Sequence, residues 1–213
     1  MYKIDGTPFT NFGVYVMSSK GLIDLPTIKE SLTVDWPDEH GKIVDLTAPR
    51  YNYREIELQC LIKASGKLDF FDKVRAFIKA FQLPNLRTLE LNFSTKPVIY
   101  LVYLADGVSI EKKWRENEMF GTFDLRLIEP APIKRLLLCT GASASITFTT
   151  SNPINIYWGD GTSLINVTGN NVTKTRTYAG GAATRYILIT GVIEEISGFT
   201  INSANTSTIW SRY

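Results

Sequence analysis

The chain has 213 residues, 44% hydrophobic and 21% charged, with a formal net charge of +2, the balance of a globular protein rather than a disordered one. So small a charge gives no electrostatic reason to expect nucleic acid or an anionic membrane as a partner. The length admits one large or two small domains; the longest apolar run, residues 98–105, is too short to span a bilayer. The opening MYKIDGTPFT has no apolar signal core, so folding in the cytosol is expected.

Residues 1–50 are rich in Gly, Pro, Thr and Asp. Within them FGVYVM (12–17) and SLTVDW (31–36) read as strands. They are joined by a turn-rich connection at 18–25, and PDEHGK (37–42) reads as a hairpin loop before a strand at 43–46. Residues 54–62 alternate cleanly: Ile56, Leu58, Cys60 and Ile62 face one way, Glu55, Glu57 and Gln59 the other.

A helix follows over 68–83. Phe70, Phe71, Val74, Phe77, Ile78 and Phe81 form one stripe, with Asp69, Asp72, Lys73, Arg75 and Lys79 filling the opposite face. The acids sit early and Lys79 late, as the helix dipole prefers. Ser65 or Gly66 caps the start, and Pro84 stops the end. Burying the stripe is worth roughly 10 kcal/mol gross, so the helix needs a large apolar partner, and the flanking strands offer a sheet. Residues 87–93 alternate with Leu89, Leu91 and Phe93 inward, and the intervening helix is long enough to permit parallel pairing of 54–62 with 87–93.

Residues 98–104 carry bulk on both faces, implying cover on both sides. Residues 108–114 read as an edge strand guarded by Lys112 and Lys113. Residues 121–128 alternate with Phe123, Leu125 and Leu127 inward, and EPAP (129–132) breaks the pattern. A domain boundary is placed there. Beyond it Lys and Glu thin out, and short runs rich in Thr, Ser, Asn and Ile recur, the spacing of a β-sandwich of roughly eighty residues. The expected fold is mainly β: an α+β domain over 1–132 with one amphipathic helix on a sheet, then a β-sandwich over 133–213.

No reaction motif stands out. HExxH, GxSxG, CxxC and Gly-Lys-Ser/Thr patterns are absent. Cys60 and Cys139, far apart and each at an apolar strand position, read as buried free thiols. The only histidine, His40, reads as a loop residue, and the pairs Asp38/Glu39 and Glu194/Glu195 as solvated surface. Asn166, Asn171 and Asn205 satisfy the glycosylation pattern but are expected to be bare. Trp36, Trp114, Trp158 and Trp210 read as packing residues by default, with Trp210 the least explained; an exposed Trp would suit an interface or a glycan. No cofactor, metal or catalytic residue is assigned.

The most specific short motif is Trp158-Gly159-Asp160-Gly161-Thr162 after the strand INIYW, whose Asp-Gly pair gives the backbone the positive-φ positions that a tight hairpin needs. Thr177-Tyr178, Gly180-Gly181 and the strand from Tyr186 to Gly191 follow. Together these resemble the PKD family of immunoglobulin-like domains over about residues 133–200, with Thr177 where many members have His. The resemblance implies a fold and no reaction. A calcium role for Asp160 is disfavoured, because the ligand spacing of a calcium loop is missing. Trp158, Gly159, Asp160, Gly161, Tyr178 and Gly191, with Phe77 of the helix, are taken as structural markers.

The first 132 residues resemble the N-terminal domain of the distal tail (Dit) protein family of long-tailed bacteriophages. The anchors are Phe12-Gly13, the strand at 54–62, the single helix, the strand at 100–104, and Gly121-Thr-Phe-Asp-Leu running into Glu129-Pro130. The resemblance implies a non-enzymatic virion protein of the tail tip, assembled in the bacterial cytoplasm. Its partners would be itself, usually as a hexameric ring, and the tail tube and tail-fibre or baseplate proteins. In that family a galectin-like domain often follows. Here the PKD-like sandwich takes its place as a peripheral interaction module, with a host-surface glycan as one candidate ligand. The competing reading is a cell-surface adhesion or glycan-binding protein with the PKD-like domain as spacer; an enzyme accessory module is a third.

Overall fold

The computed structural model describes all residues except 39, 94, 95 and 115–117. Glu39, one of the carboxylates singled out above, therefore lies outside the described residues. The protein is mainly β with one α-helix among the described residues. It divides into two compact units, one formed by residues 2–89 and 100–132, the other by residues 1, 90–99 and 133–213.

In the first unit the strands are β1 (Tyr2–Ile4), β2 (Thr7–Pro8), β3 (Val14–Lys20), β4 (Thr33–Val34), β5 (Ile43–Val44) and β6 (Arg54–Ala64). After them come α1 (Lys67–Phe81), β7 (Arg87–Leu91), β8 (Val98–Leu104), β9 (Glu111–Trp114) and β10 (Met119–Glu129). The chain crosses between the units within β7 and again within β8. The main sheet runs β2-β1-β7-β8-β10-β6-β3, with β9 paired to β10. Strands β6 and β7 do not pair: β10 and β8 lie between them. A crossover helix allows parallel pairing without requiring it, and β10 takes the place beside β6 with an unbroken antiparallel register from Met119↔Ala64 to Glu129↔Arg54.

Both of these strands alternate as the sequence implies. Arg54, Ile56, Leu58, Cys60, Ile62 and Ala64 are buried on β6, and Met119, Phe123, Leu125, Leu127 and Glu129 on β10. Ile99 to Val102 are buried on consecutive positions of β8. Phe93 is the exception: it lies just past β7 and is 66% exposed, because the strand ends at Leu91.

Helix α1 starts at Gly66, which has no capping side chain of its own. Instead Asp69 reaches back from the first turn and accepts from the Ser65 amide at 2.9 Å and the Ser65 hydroxyl at 3.0 Å. Lys73 also donates to that oxygen at 2.9 Å, and these bonds, Lys73 first, hold the Asp69 carboxyl below the usual range. Phe70, Phe77 and Phe81 are buried, Val74 and Ile78 half-buried, and Phe71 turns outward. Phe77 is the hub of the packing, with ring centroids 5.0 Å from Phe9, 5.6 Å from Phe12, 5.2 Å from Phe81 and 5.8 Å from Phe123. Phe71 meets the rings of Phe70 and the exposed Trp114.

The second unit contains β11 (Lys134–Cys139), β12 (Ser143–Tyr157), β13 (Ser163–Thr177), β14 (Arg185–Gly191), β15 (Ser197–Ile201) and β16 (Thr206–Trp210). The six strands form one hydrogen-bonded sheet in the order β13-β12-β14-β11-β16, with β15 on β12. The short runs SITFTT and INIYW are a single 15-residue strand, β12. Its first half pairs with β15 and its second half with β14, and register shifts interrupt its pairing with β13 between Phe148 and Ile156. Such irregularities bend a strand, so one sheet does the work expected of two. Leu137, Ile146, Phe148, Ile156, Trp158 and Ile189 are among the residues of its core.

Trp210 has a place in this unit. Its indole donates to the Pro97 carbonyl at 3.1 Å, Lys96 lies over the ring, and Tyr213 is 6.1 Å away between centroids. The Tyr213 hydroxyl bonds both the amide and the carbonyl of Ile99. These bonds tie the 96–99 segment to the end of β16 and the residues that follow it. Both cysteines are free and buried; the Cys60 thiol is pushed up to about 12, chiefly by burial, with Asp124 adding to it.

Truncating Phe77 to Ala is expected to cost about 3–5 kcal/mol in urea unfolding, and truncating the outward Phe71 less than about 1 kcal/mol. Equal losses at the two positions would show that the stripe does not face the sheet as described.

Candidate functional site

Residues 21–53, between β3 and β6, leave the sheet altogether. The segment pairs with itself. Asn52 donates to Thr27 O at 2.8 Å, Lys29 to Arg50 O at 2.7 Å and Asp45 to Leu32 O at 3.0 Å. An Ile28–Tyr51 bridge and the β4–β5 pair continue the ladder. The result is a two-stranded ribbon, with His40 exposed in the connection between β4 and β5, where the sequence places a hairpin loop.

Its composition is unusual for a solvated hairpin. Ile23 is 91% exposed, Leu32 76% and Leu25 74%; Trp36, Ile43 and Leu46 are each more than half exposed. A lone two-stranded ribbon is marginal in water, and clustered exposed apolar side chains mark an interaction surface. The sequence pattern alone misses this. Its apolar residues look like ordinary core positions, and only the Gly, Pro and Asp between them hint that no strand is long enough to join the sheet.

The root of the ribbon is built around Arg54, the first residue of β6, which is 8% exposed. Its Nη1 donates to the carbonyls of Leu22 and Asp24, both at 2.9 Å, and lies 3.3 Å from that of Gly21. Its Nε sits 3.1 Å from Oε2 of Glu129, which is fully buried. The guanidinium lies over the Tyr100 ring, 5.6 Å from the centroid, and the Tyr100 hydroxyl donates to Leu22 O at 2.6 Å. Burial pushes the Tyr100 phenol up to about 12; the positive Arg54 opposes the rise and Glu129 adds to it. Gly21 turns the chain with φ +81°, and a Cβ there would sit 1.8 Å from Glu55 O, so only glycine fits.

The WGDG motif is a folding device of the second unit. Trp158 is buried, and Tyr178 donates to its carbonyl at 3.0 Å. Gly159 lies against Tyr186, where a Cβ would meet the carbonyl oxygen at 2.5 Å with φ at +78°. Asp160 is fully engaged: Oδ1 accepts from the amide (3.0 Å) and hydroxyl (2.5 Å) of Thr162, and Oδ2 meets Arg176 at 2.8 Å. Gly161 completes the turn, and Gly191 ends β14 opposite Ile154. Thus Trp158, Asp160 and Tyr178 are brought together, while Phe77 belongs to the other unit's core. No group of three or more His, Cys, Asp or Glu able to hold a metal occurs among the described residues, and Asp160 has no oxygen left uncommitted. Glu194 accepts from Arg212 at 3.1 Å, and Glu195 from Asn152.

The family model for the phage tail protein RIFT-related domain matches residues 12–128, more than half of the chain, and includes the ribbon, Arg54 and Tyr100 of its root, and α1. The chain belongs to that phage tail protein family. Among solved structures, the Dit protein (gp 19.1) of phage SPP1, described as a paradigm of the hub adsorption apparatus in phages infecting Gram-positive bacteria, superposes with a TM-score of 0.50 at 10% identity. The match covers 89% of this chain and 98% of that one, and at this identity it speaks for the fold. No curated protein sequence gives a significant match.

Burial is the largest single influence on Asp160 and works upward, but the bonds from Thr162 and Arg176 outweigh it, so its carboxyl lies below the usual range. A carboxyl lowered by folding stabilises above its unfolded value of about 4 and loses that contribution as pH falls through the folded value. Asp160→Asn is therefore expected to be less stable by on the order of 1 kcal/mol at neutral pH, with the gap closing as the solution is acidified below about pH 4. Urea unfolding at several pH values checks this; a gap that persists into strong acid contradicts it.

Proposed function

We propose that the protein is a structural, non-enzymatic subunit of the tail tip, forming a homo-oligomeric ring that joins the tail tube to the adsorption apparatus. The observation that carries the reading is the ribbon at residues 27–52. Among the described residues it exposes Leu32, Trp36, Ile43 and Leu46, and its backbone ladder pairs one arm of the ribbon with the other, so it gains cover when laid against another copy. Family membership and the hub role stated for the SPP1 protein support the same reading. Ring closure needs a heterologous contact repeated around an axis, and a projecting arm that docks on the next subunit is a simple way to make one. Residence in the virion and contacts with tube and fibre proteins follow from that position.

The 1–132 region is the ring-forming part in this reading, and the region from 133 onward a peripheral interaction module. A share of 89% of the chain cannot be reached without residues beyond 132, which favours a counterpart for this module in the SPP1 protein rather than a wholly separate addition. The corner made by Trp158, Asp160 and Tyr178 is what supports the PKD-like reading of it. Its outer face carries uncharged hydroxyl pairs, Ser145 with Thr175 at 2.9 Å and Thr147 with Thr173 at 2.7 Å, a chemistry suited to a host-surface glycan.

Light scattering with concentrated protein is expected to give a closed oligomer of about six copies. Replacing Leu32 and Trp36 together by Ser should leave the unfolding transition almost unchanged and raise the concentration needed for assembly by at least about tenfold. A strictly monomeric wild type, alone and with a tail-tube partner, would overturn the ring.

A further inference from the structure

We infer that Arg54 is a positioning residue that locks both ends of the ribbon and thereby fixes the direction in which it projects, an inference that rests on the ring reading only for what the ribbon docks on. The departing strand is held through its carbonyls: the two hydrogens of Nη1 serve Leu22 and Asp24 at 2.9 Å, leaving Gly21 at 3.3 Å as the weaker contact. The returning strand is held covalently, because Arg54 follows Tyr53 directly and Asn52 is the last residue paired back to Thr27. One side chain therefore joins the way out to the way in.

Three further features make the lock stiff. Glu129 neutralises the guanidinium from the neighbouring strand, so the charge remains buried with a partner. Tyr100 lies under the guanidinium and adds its own bond to Leu22 O. Asp24 turns back to accept from the Gly21 amide at 3.1 Å, closing the 21–24 turn on itself. Beyond this root, residues 27–48 show no buried side chain among the described residues, so the root is where burial holds the ribbon. A lysine cannot substitute: one ammonium lacks the fork that reaches a carboxylate with Nε and two carbonyls with Nη1.

Hydrogen–deuterium exchange on the full-length protein tests this directly, read at the paired ribbon amides of Lys29, Asp45 and Asn52. In Arg54→Lys these are expected to exchange at least tenfold faster while β6 and β10 remain protected, and the assembly concentration should rise at least tenfold. Tyr100→Phe, which leaves the ion pair intact, should give a smaller change in the same direction. Unchanged ribbon exchange in Arg54→Lys overturns the inference. Should that variant lose its cooperative fold, Tyr100→Phe decides alone, and unchanged exchange there overturns it. Should the wild type never assemble, the ring reading fails, while ribbon exchange still decides the lock.

Discussion

The antiparallel ladder between β6 and β10 sets the terms for the N-terminal unit. It runs without a register shift from Met119↔Ala64 to Glu129↔Arg54, and at that last rung the cross-strand partners are a buried arginine and a buried glutamate. Sliding one strand by a single residue would turn Glu57 and Gln59 toward the core and expose Ile56, Leu58 and Ile62. It would also turn Arg54 out with them and leave the Glu129 charge buried alone, a penalty of roughly 3–5 kcal/mol. The ion pair thus adds register specificity to the apolar stripe, and both act on one ladder.

What leans on the ladder follows from its two ends and its faces. The buried face receives α1, and Gly121 makes the approach possible, since a Cβ there would come within 2.8 Å of the Phe70 ring. The far end supplies the root of the ribbon through Arg54. Exposed apolar side chains on a ribbon are tolerable only if the ribbon is held away from its own sheet. Otherwise Leu32 or Trp36 would collapse onto the nearest apolar surface. A stiff root and a bare tip belong to the same design, and they suit the proposed role in assembly.

The C-terminal unit solves a different problem with a similar economy. A single strand, β12, bends between partners and so folds one sheet around one core. The Trp158 turn fixes the start of β13. Asp160 caps the turn and grips Arg176 near the end of that strand, and Tyr178 returns to the Trp158 carbonyl. Trp210 at the end of β16 and Tyr213 beyond it close the unit by holding Pro97 and Ile99.

The sequence by itself determined the elements whose burial differs sharply between faces. The β6 and β10 alternations, the α1 stripe and the Trp158 hairpin are each local patterns, and local periodicity reports them faithfully. Tertiary structure alone decided which elements became neighbours. β10 rather than β7 lies beside β6 because pairing over the whole length of both strands outweighs the option of a crossover. Phe71 and Phe93 carry the same apolar signal as Phe70 and Leu91, yet they fall at exposed positions. The ribbon is the extreme case. Ile23, Leu32 and Trp36 are indistinguishable in sequence from core residues, because hydrophobicity records a need for cover and says nothing of whether this chain or the next one provides it. Arg54 was equally silent: a charged residue opening a strand reads as solvated until the fold places Glu129, Tyr100 and three carbonyls around it.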